Sequence, residues 1–385
     1  MVRRRTGVSA PGRYRAAGTS RANVGRKAQR QETSLMAIYA DRVRDAVLAG
    51  DWPSVFREAT AWVEDISRGP EGGSLRDPRA HFALNVVHLI KGEFGKAWKL
   101  SATSLQEASD IEQVRDWTEA ILAQHLENAN VQLVMGLFLA QSGQSERSVD
   151  RYKDAIRLDP HSPYPHYFLA QIHERANRME MAIKEYREAV KLNPSYAPAR
   201  MNLGVAYQEQ GRLEMAIPQY REVIKLNPND AVAHANLACA LAEQGKLEPA
   251  LFEYKEALRL NPRDAEVHFA LGGLYETKSR LDLALKEYEA ALLVDPDFAP
   301  ALTAIGWMHF DKDRKHEAME YFNRALKGNP EDARAYFGVA RIYAERGKAD
   351  LAMENYTKAL ELEKDPDRKN AMLTHLYKEG NTLAS

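Results

Sequence analysis

Eleven histidines and one cysteine, Cys239, are the residues of this 385-residue chain that most directly suggest chemistry. Imidazole and thiolate groups bind transition metals, and a thiolate beside a base is a nucleophile. The surrounding sequence carries no motif for either role. It contains no H-E-x-x-H, no G-x-S-x-G and no glycine-rich phosphate loop followed by Lys-Ser or Lys-Thr. A single cysteine also excludes an intramolecular disulfide and any multi-cysteine metal site.

Three of these histidines, at positions 166, 234 and 268, are separated by multiples of 34 residues, and other residue types keep the same period. Asp-Pro or Asn-Pro recurs at Pro160, Pro194, Pro228, Pro262, Pro296 and Pro330. An aromatic ladder runs through Tyr152, Tyr186, Tyr220, Tyr254, Tyr288, Phe322 and Tyr356, and a ladder of small residues runs four positions before it. Self-similarity at this period indicates a repeat architecture.

Each of the seven 34-residue units in 129–366 is predicted to form two helices. In the third unit, one helix is expected from Ala199 to Gln210 and the second from Leu213 to Leu226. Pro218 falls inside that second helix and should remove one hydrogen bond there. One unit cannot bury its apolar face alone, so neighbouring units must stack.

The pattern resembles the tetratricopeptide repeat, whose small and large residues occupy positions 8, 11, 20, 24, 27 and 32 of each unit. The resemblance implies an all-α fold, a right-handed superhelical α-solenoid of helix-turn-helix repeats. We divide the chain into a basic arm (1–34) that we expect to be disordered, a degenerate repeat-like helical region (35–128), the seven repeats (129–366), and a C-terminal capping helix and tail (367–385).

The repeat changes the interpretation of the histidines. His166, His234 and His268 occupy the same position of different units, which stack roughly 10 Å apart, far beyond a metal–ligand distance of about 2 Å. We therefore expect these side chains to pack or to hydrogen-bond between helices. No metal, no cofactor and no enzymatic activity are expected.

In tetratricopeptide proteins, positions 2, 5, 6, 9, 12 and 13 of the first helix face a concave groove. On this sequence the groove residues are Tyr164, Tyr167, Phe168, Gln171, Met201, Asn202, Val205, Asn236, Cys239, Phe269, Trp307, Phe310, Phe337 and Arg341. Such an apolar, aromatic surface favours an extended or helical peptide. Asn202 and Asn236 resemble the asparagines with which some family members hold a peptide backbone, since an amide both donates and accepts. The alternative is that some of these residues pack against the next repeat.

Carboxylates recur near the end of six successive first helices. They are Glu174, Glu209, Glu243, Glu276, Asp311 and Glu345, at position 12 or 13 of their repeats. They form either a solvated helix end or an acidic groove edge that attracts a basic peptide, including the chain's own arm. The cations of repeats that clamp a chaperone's C-terminal carboxylate are missing at the matching positions, so we do not expect such a clamp.

The charge of the chain is divided unevenly. Residues 1–31 contain eight Arg, one Lys and no acid, whereas the whole chain has a net charge of −1, which leaves −10 for the remainder. The arm has no apolar core of a secretory signal, and no apolar run in the chain reaches the roughly 20 residues of a membrane helix. Three interpretations remain: a solvated extension, an organellar transit peptide, or an arm that binds nucleic acid, anionic lipid or an acidic protein surface.

Together these features predict a non-enzymatic scaffold or adaptor that binds a partner protein segment in its groove and supports assembly of a multiprotein complex. We expect it in the cytoplasm, or in an organelle if the arm is a transit peptide. The alternative is a nucleic-acid-associated or membrane-surface protein anchored by residues 1–31, with the repeats holding cargo. Self-association, with a terminal segment laid into a neighbour's groove, is a further hypothesis.

Deleting residues 1–31 distinguishes the scaffold function from the anchoring alternative. The anchoring alternative predicts loss of salt-sensitive binding to duplex DNA or to anionic vesicles, because the arm carries nine cations and the remaining residues are net acidic. Binding is measured by fluorescence anisotropy and by vesicle sedimentation over a range of salt concentrations. If the full chain and the 32–385 fragment bind alike, the arm is not the anchor.

Overall fold

The computed structural model describes residues 37–67, 78–91 and 108–383, so the basic arm and parts of the degenerate repeat-like region (68–77 and 92–107) lie outside the described residues. The predicted all-α class is confirmed, since the described residues form 19 helices and no strand. Within those same ranges, no helix is both long and apolar enough to cross a membrane.

The helices fall in two compact units, Met1–Pro194 and Ser195–Ser385. The first unit contains α1 (37–49), α2 (Trp52–Ser67), α3 (Pro78–Lys91), α4 (Ala108–Gln124), α5 (Ala129–Gln141), α6 (Ser145–Leu158), α7 (Pro163–Arg175) and α8 (Met179–Leu192). The second contains α9 (Ala197–Glu209), α10 (Leu213–Leu226), α11 (Ala231–Glu243), α12 (Leu247–Leu260), α13 (Ala265–Thr277), α14 (Leu281–Val294), α15 (Ala299–Asp311), α16 (Lys315–Gly328), α17 (Ala333–Glu345), α18 (Ala349–Leu362) and α19 (Pro366–Leu383).

Local sequence sets where these helices begin and end. The side chain of Asp264 accepts a hydrogen bond from the backbone of Val267 and so caps the start of α13. Gly211, at φ +68°, adopts the left-handed conformation that ends α9 and turns the chain into α10. The second helices of the first six regular repeats stop at an Asp or Asn before proline, since that position disfavours helical geometry, whereas α18 stops at Glu363 before Lys364. Pro218 lies inside α10 and is exposed, as the sequence predicted.

The two helices of a repeat approach closely where a glycine faces an aromatic ring. A Cβ added to Gly272 would lie 2.5 Å from a ring carbon of Tyr288, and one added to Gly204 would lie 2.6 Å from Tyr220. Both tyrosines are almost fully buried. The small residue therefore opens the space that the ring fills, and this contact holds α13 against α14 and α9 against α10.

In the first unit, the degenerate N-terminal helices pack directly on the first regular pair. The rings of Phe82 and Phe138 meet edge to face at 5.8 Å, joining α3 to α5. Asn85 Nδ2 donates to Gln141 Oε1 at 2.9 Å beside them. Asn128 Nδ2 donates to the carbonyl of Leu48 at 3.0 Å, which attaches the start of α5 to the end of α1.

In the second unit, one ring links three helices. Phe322 on α16 is fully buried between Gly306 on α15 and Gly338 on α17, where added Cβ atoms would lie 2.6 and 2.4 Å from ring carbons. Beyond α17, Met372 of α19 is buried in a cluster that includes Phe337. The last helix thus covers the apolar face that the final repeat would otherwise expose.

Gly272 and Gly273 offer a matched test of the helix-pair contact. Gly272→Ala should lower the free energy of unfolding by about 1–3 kcal/mol, because the added methyl overlaps the buried Tyr288 ring. Gly273→Ala should leave it unchanged or raise it by up to about 1 kcal/mol, because its Cβ meets only the Tyr288 hydroxyl at 3.9 Å and alanine favours a helix. Urea unfolding followed by circular dichroism measures both. Equal effects of the two substitutions would contradict the contact.

Candidate functional site

Each first helix of the second unit carries partly exposed side chains. Asn236 Nδ2 on α11 donates to Met201 Sδ on α9 at 3.3 Å, and the rings of Trp307 on α15 and Phe337 on α17 lie 5.9 Å apart. Side chains of successive repeats therefore touch on this side. We call the half-buried members the first-helix surface: Met201, Asn202, Val205, Asn236, Cys239, Phe269, Trp307 and Arg341.

Four of the aromatic groove residues expected from the sequence are instead buried. In the first unit, Tyr167 is fully buried against Tyr186 at 5.9 Å, and Phe168 stacks on Tyr152 at 6.1 Å. In the second unit, Phe310 and Phe337 are 7% and 9% exposed. These rings fill space between helices, so they are not members of the first-helix surface.

Tyr164 and Gln171 of α7 stay half-buried in the first unit. The Tyr164 ring lies 6.5 Å from Trp52, at the start of α2, and burial raises the pKa of Tyr164. Gln171 Nε2 donates to the hydroxyl of Tyr167 at 3.2 Å. Both side chains are thereby tied to the packing of their own unit.

The six carboxylates do not behave as one acidic edge. Glu174 and Glu276 accept hydrogen bonds from the hydroxyls of Tyr186 and Tyr288, at 2.5 and 2.7 Å, across their helix pairs. Burial, and then the bond to Glu276, raise the pKa of Tyr288. These two carboxylates thus reinforce the contact between the paired helices, a role that their sequence positions did not indicate.

The remaining carboxylates are divided between bonded and exposed groups. Glu345 forms an ion pair with Lys315, which also lies 2.9 Å from Asp313. Glu209 and Asp311 are exposed. Lys315 therefore neutralises part of the negative charge that these carboxylates carry in the second unit.

Cys239 lies in a hydrogen-bonded group between α9 and α11. Its thiol donates to Glu243 Oε1 at 3.3 Å, and Gln208 Nε2 donates to the same oxygen at 2.7 Å. The hydroxyl of Tyr220 donates to Gln208 Oε1 at 2.9 Å, continuing the chain of bonds into the core. Burial, followed by the bond to Glu243, raises the pKa of the Cys239 thiol, so the unreactive thiol is the favoured form at neutral pH. Sequence reasoning missed Gln208, although it occupies the position that is glutamate in two other repeats.

The expectation that the repeated histidines bond between helices is confirmed. The Nδ1 atoms of His166, His234 and His268 lie 2.6–2.7 Å from carboxylates of the second helix in the same repeat, Glu185, Glu253 and Glu287. Each histidine thus has its own glutamate within one helix pair. In the described ranges, no group of three or more His, Cys, Asp or Glu side chains is arranged to hold a metal.

Comparison with known families gives a consistent result. Models described as "TPR repeat" and "Tetratricopeptide repeat" match residues 175–211, 197–230, 219–251, 239–279, 265–298 and 303–369. No curated protein sequence matches the chain. The matched ranges cover helices α8 to α18 almost without interruption.

Solved structures of repeat proteins are similar only at a low level. YrrB, described as having an unusual peptide-binding site, is 21% identical, with 49% of this chain and 96% of YrrB covered and a TM-score of 0.45. MamA from Desulfovibrio magneticus RS-1 is 19% identical, with 44% and 96% covered and a TM-score of 0.42. Yeast Tom70 is 14% identical, with 90% and 89% covered and a TM-score of 0.49. These scores carry no functional argument.

The repeated helix pairs, their glycine–aromatic contacts and the matching family models together identify the fold. This chain belongs to the tetratricopeptide repeat family, whose members are protein-interaction modules.

Proposed function

We propose that the protein is a non-enzymatic adaptor whose first-helix surface binds a segment of a partner protein and supports assembly of a larger complex. The observation that carries this proposal is the set of half-exposed side chains on successive first helices, of which Asn236 and Met201 contact each other across neighbouring repeats. Fully buried residues of the same helices, such as Leu203 and Leu237, form the core, whereas these side chains keep part of their surface exposed.

The chemistry of this surface fits a polypeptide. Met201, Val205 and Phe269 offer apolar area that gains from being removed from water. Asn236 is half-buried on the same surface and carries an amide, which donates and accepts and so matches a peptide backbone. Burial of the apolar side chains would supply binding affinity, and the amide would fix the orientation of the bound peptide.

The triple variant Met201→Ala, Val205→Ala, Asn236→Ala tests this function. We expect at least about tenfold weaker partner binding, because truncation of central interface residues commonly costs more than about 1 kcal/mol each. Proteins co-purifying with the full chain are identified and quantified, and the affinity of the identified partner is then measured for the variant.

A matched control removes exposed apolar side chains from second helices of the same unit. Met215, Leu283 and Leu351 are 52%, 36% and 39% exposed. Their joint replacement by alanine should leave partner recovery unchanged, and circular dichroism should show native helix content in both variants. Full recovery by the first-helix variant, or equal loss in the control, would refute the proposed surface.

Cys239 provides a footprint of the bound partner, because it is the only cysteine and lies on the first-helix surface. Partner at about ten times its Kd should slow alkylation of the thiol to about a tenth, since about a tenth of the chain then remains free. The rate is followed at alkaline pH by mass spectrometry, because the raised pKa of Cys239 makes the neutral-pH reaction slow. Glu243→Gln should lower this pKa and speed the free reaction. An unchanged rate with saturating partner would place the contact elsewhere.

The role of the basic arm stays a prediction, since residues 1–31 lie outside the described part of the chain. The cytoplasmic location also stays a prediction. Deletion of the arm, as described above, tests the anchoring alternative independently of the first-helix surface.

A further inference from the structure

A pocket opens at the C-terminal end of the second unit, between α15, α17 and α19. It encloses about 440 Å³ and is lined by Trp307, Arg334, Phe337, Arg368, Ala371, Met372 and His375. Trp307 belongs to the first-helix surface, so the pocket continues that surface. The residues from α19 belong to the helix that the sequence assigned only a capping role.

The lining is cationic and contains no carboxylate. Arg334 is exposed, and its guanidinium forms no ion pair with a described residue within 4.0 Å. Arg368 Nε lies 4.0 Å from Asp365 Oδ2, and both side chains are exposed, so this contact neutralises little of its charge. The nearby Asp332 carboxylate is already engaged, since it caps α17 and accepts from the hydroxyl of Thr303 at 2.6 Å. The pocket therefore favours an anion.

The same pocket has an aromatic wall. The Trp307 and Phe337 rings lie 5.9 Å apart, and Met372 is buried beside them. Guanidinium groups form strong, charge-assisted hydrogen bonds with carboxylates, so a carboxylate fits beside Arg334 and Arg368 while the rings offer an apolar contact.

We propose that this pocket binds an acidic, apolar segment of a partner protein, with a side-chain carboxylate between Arg334 and Arg368 and an adjacent apolar side chain against Trp307. This proposal rests on the proposed function, because it names the chemistry of the segment held at one end of the first-helix surface. The chain's own arm does not fit, since residues 1–31 carry nine cations and no acid. Charge complementarity therefore selects a separate, acidic polypeptide.

The test uses short fluorescein-labelled peptides, acetylated and amidated at their ends, in which Glu alternates with Phe or Leu. Anisotropy titration of the full chain should show binding of the Glu peptide, at least about tenfold weaker binding of the Gln version, and weakening as salt increases. The variant R334Q/R368Q should bind the Glu peptide at least about tenfold more weakly. Equal affinity for the Glu and Gln peptides would overturn the proposal.

The matched control is R221Q/R263Q, which removes the same charge from exposed arginines of the same unit that do not line the pocket. It should bind the Glu peptide as the unmodified chain does, and an equal loss would show a general charge effect that overturns the pocket assignment. A Gln peptide with a free carboxyl terminus should stay weak. Tight binding of that peptide would overturn the side-chain carboxylate assignment.

The experiments distinguish failure of the pocket proposal from failure of the proposed function. If the Glu peptide does not bind while the first-helix variant still loses its partner, the pocket proposal fails and the adaptor function stands. If the first-helix variant keeps its partner, the proposed surface fails whatever the peptide does.

Discussion

The close approach of two helices within each repeat is the contact on which the rest of the structure depends. It needs a residue without a bulky side chain on the first helix and a ring on the second, as at Gly272 and Tyr288 or Gly306 and Phe322. In these pairs the ring is buried where the glycine leaves room for it, and Ala170, Ala238 and Ala340 occupy the same position in other repeats. Repeating this contact every 34 residues makes each pair a similar building block.

That contact also decides which side chains remain available to a partner. Rings that reach the space between helices, such as Tyr167 and Phe337, are used in packing, while Met201 and Asn236 stay at the surface. Hydrogen bonds also distinguish the residues that pack between helices from those at the surface. Glu276 bonds the buried Tyr288, whereas Gln208 and Glu243 join adjacent first helices around Cys239. The buried rings therefore stabilise the fold, and the proposed binding surface uses mainly other residues of the same helices.

The proposed C-terminal pocket would give the terminal helix a role in addition to packing. Helix α19 covers the apolar face of the last repeat through Met372, which explains its packing. Capping does not require Arg368 or the exposed Arg334, since neither contributes to the buried cluster. The two cations beside the aromatic wall favour an anion.

The amino-acid sequence by itself determined the period, the helix pairs, the turns and the glycine–aromatic register, because these depend on residues at constant spacing. It also indicated that His234 and its equivalents pack or hydrogen-bond between helices, and the structure shows the bond to the second helix of the same repeat. Only the tertiary structure decided that Tyr167 and Phe168 are buried, that Glu174 bonds Tyr186, and that Arg368 comes beside Trp307. The position of a residue in its repeat specifies the direction of its side chain. The burial and the charge environment of that side chain depend instead on the sizes and charges of neighbours from distant parts of the sequence.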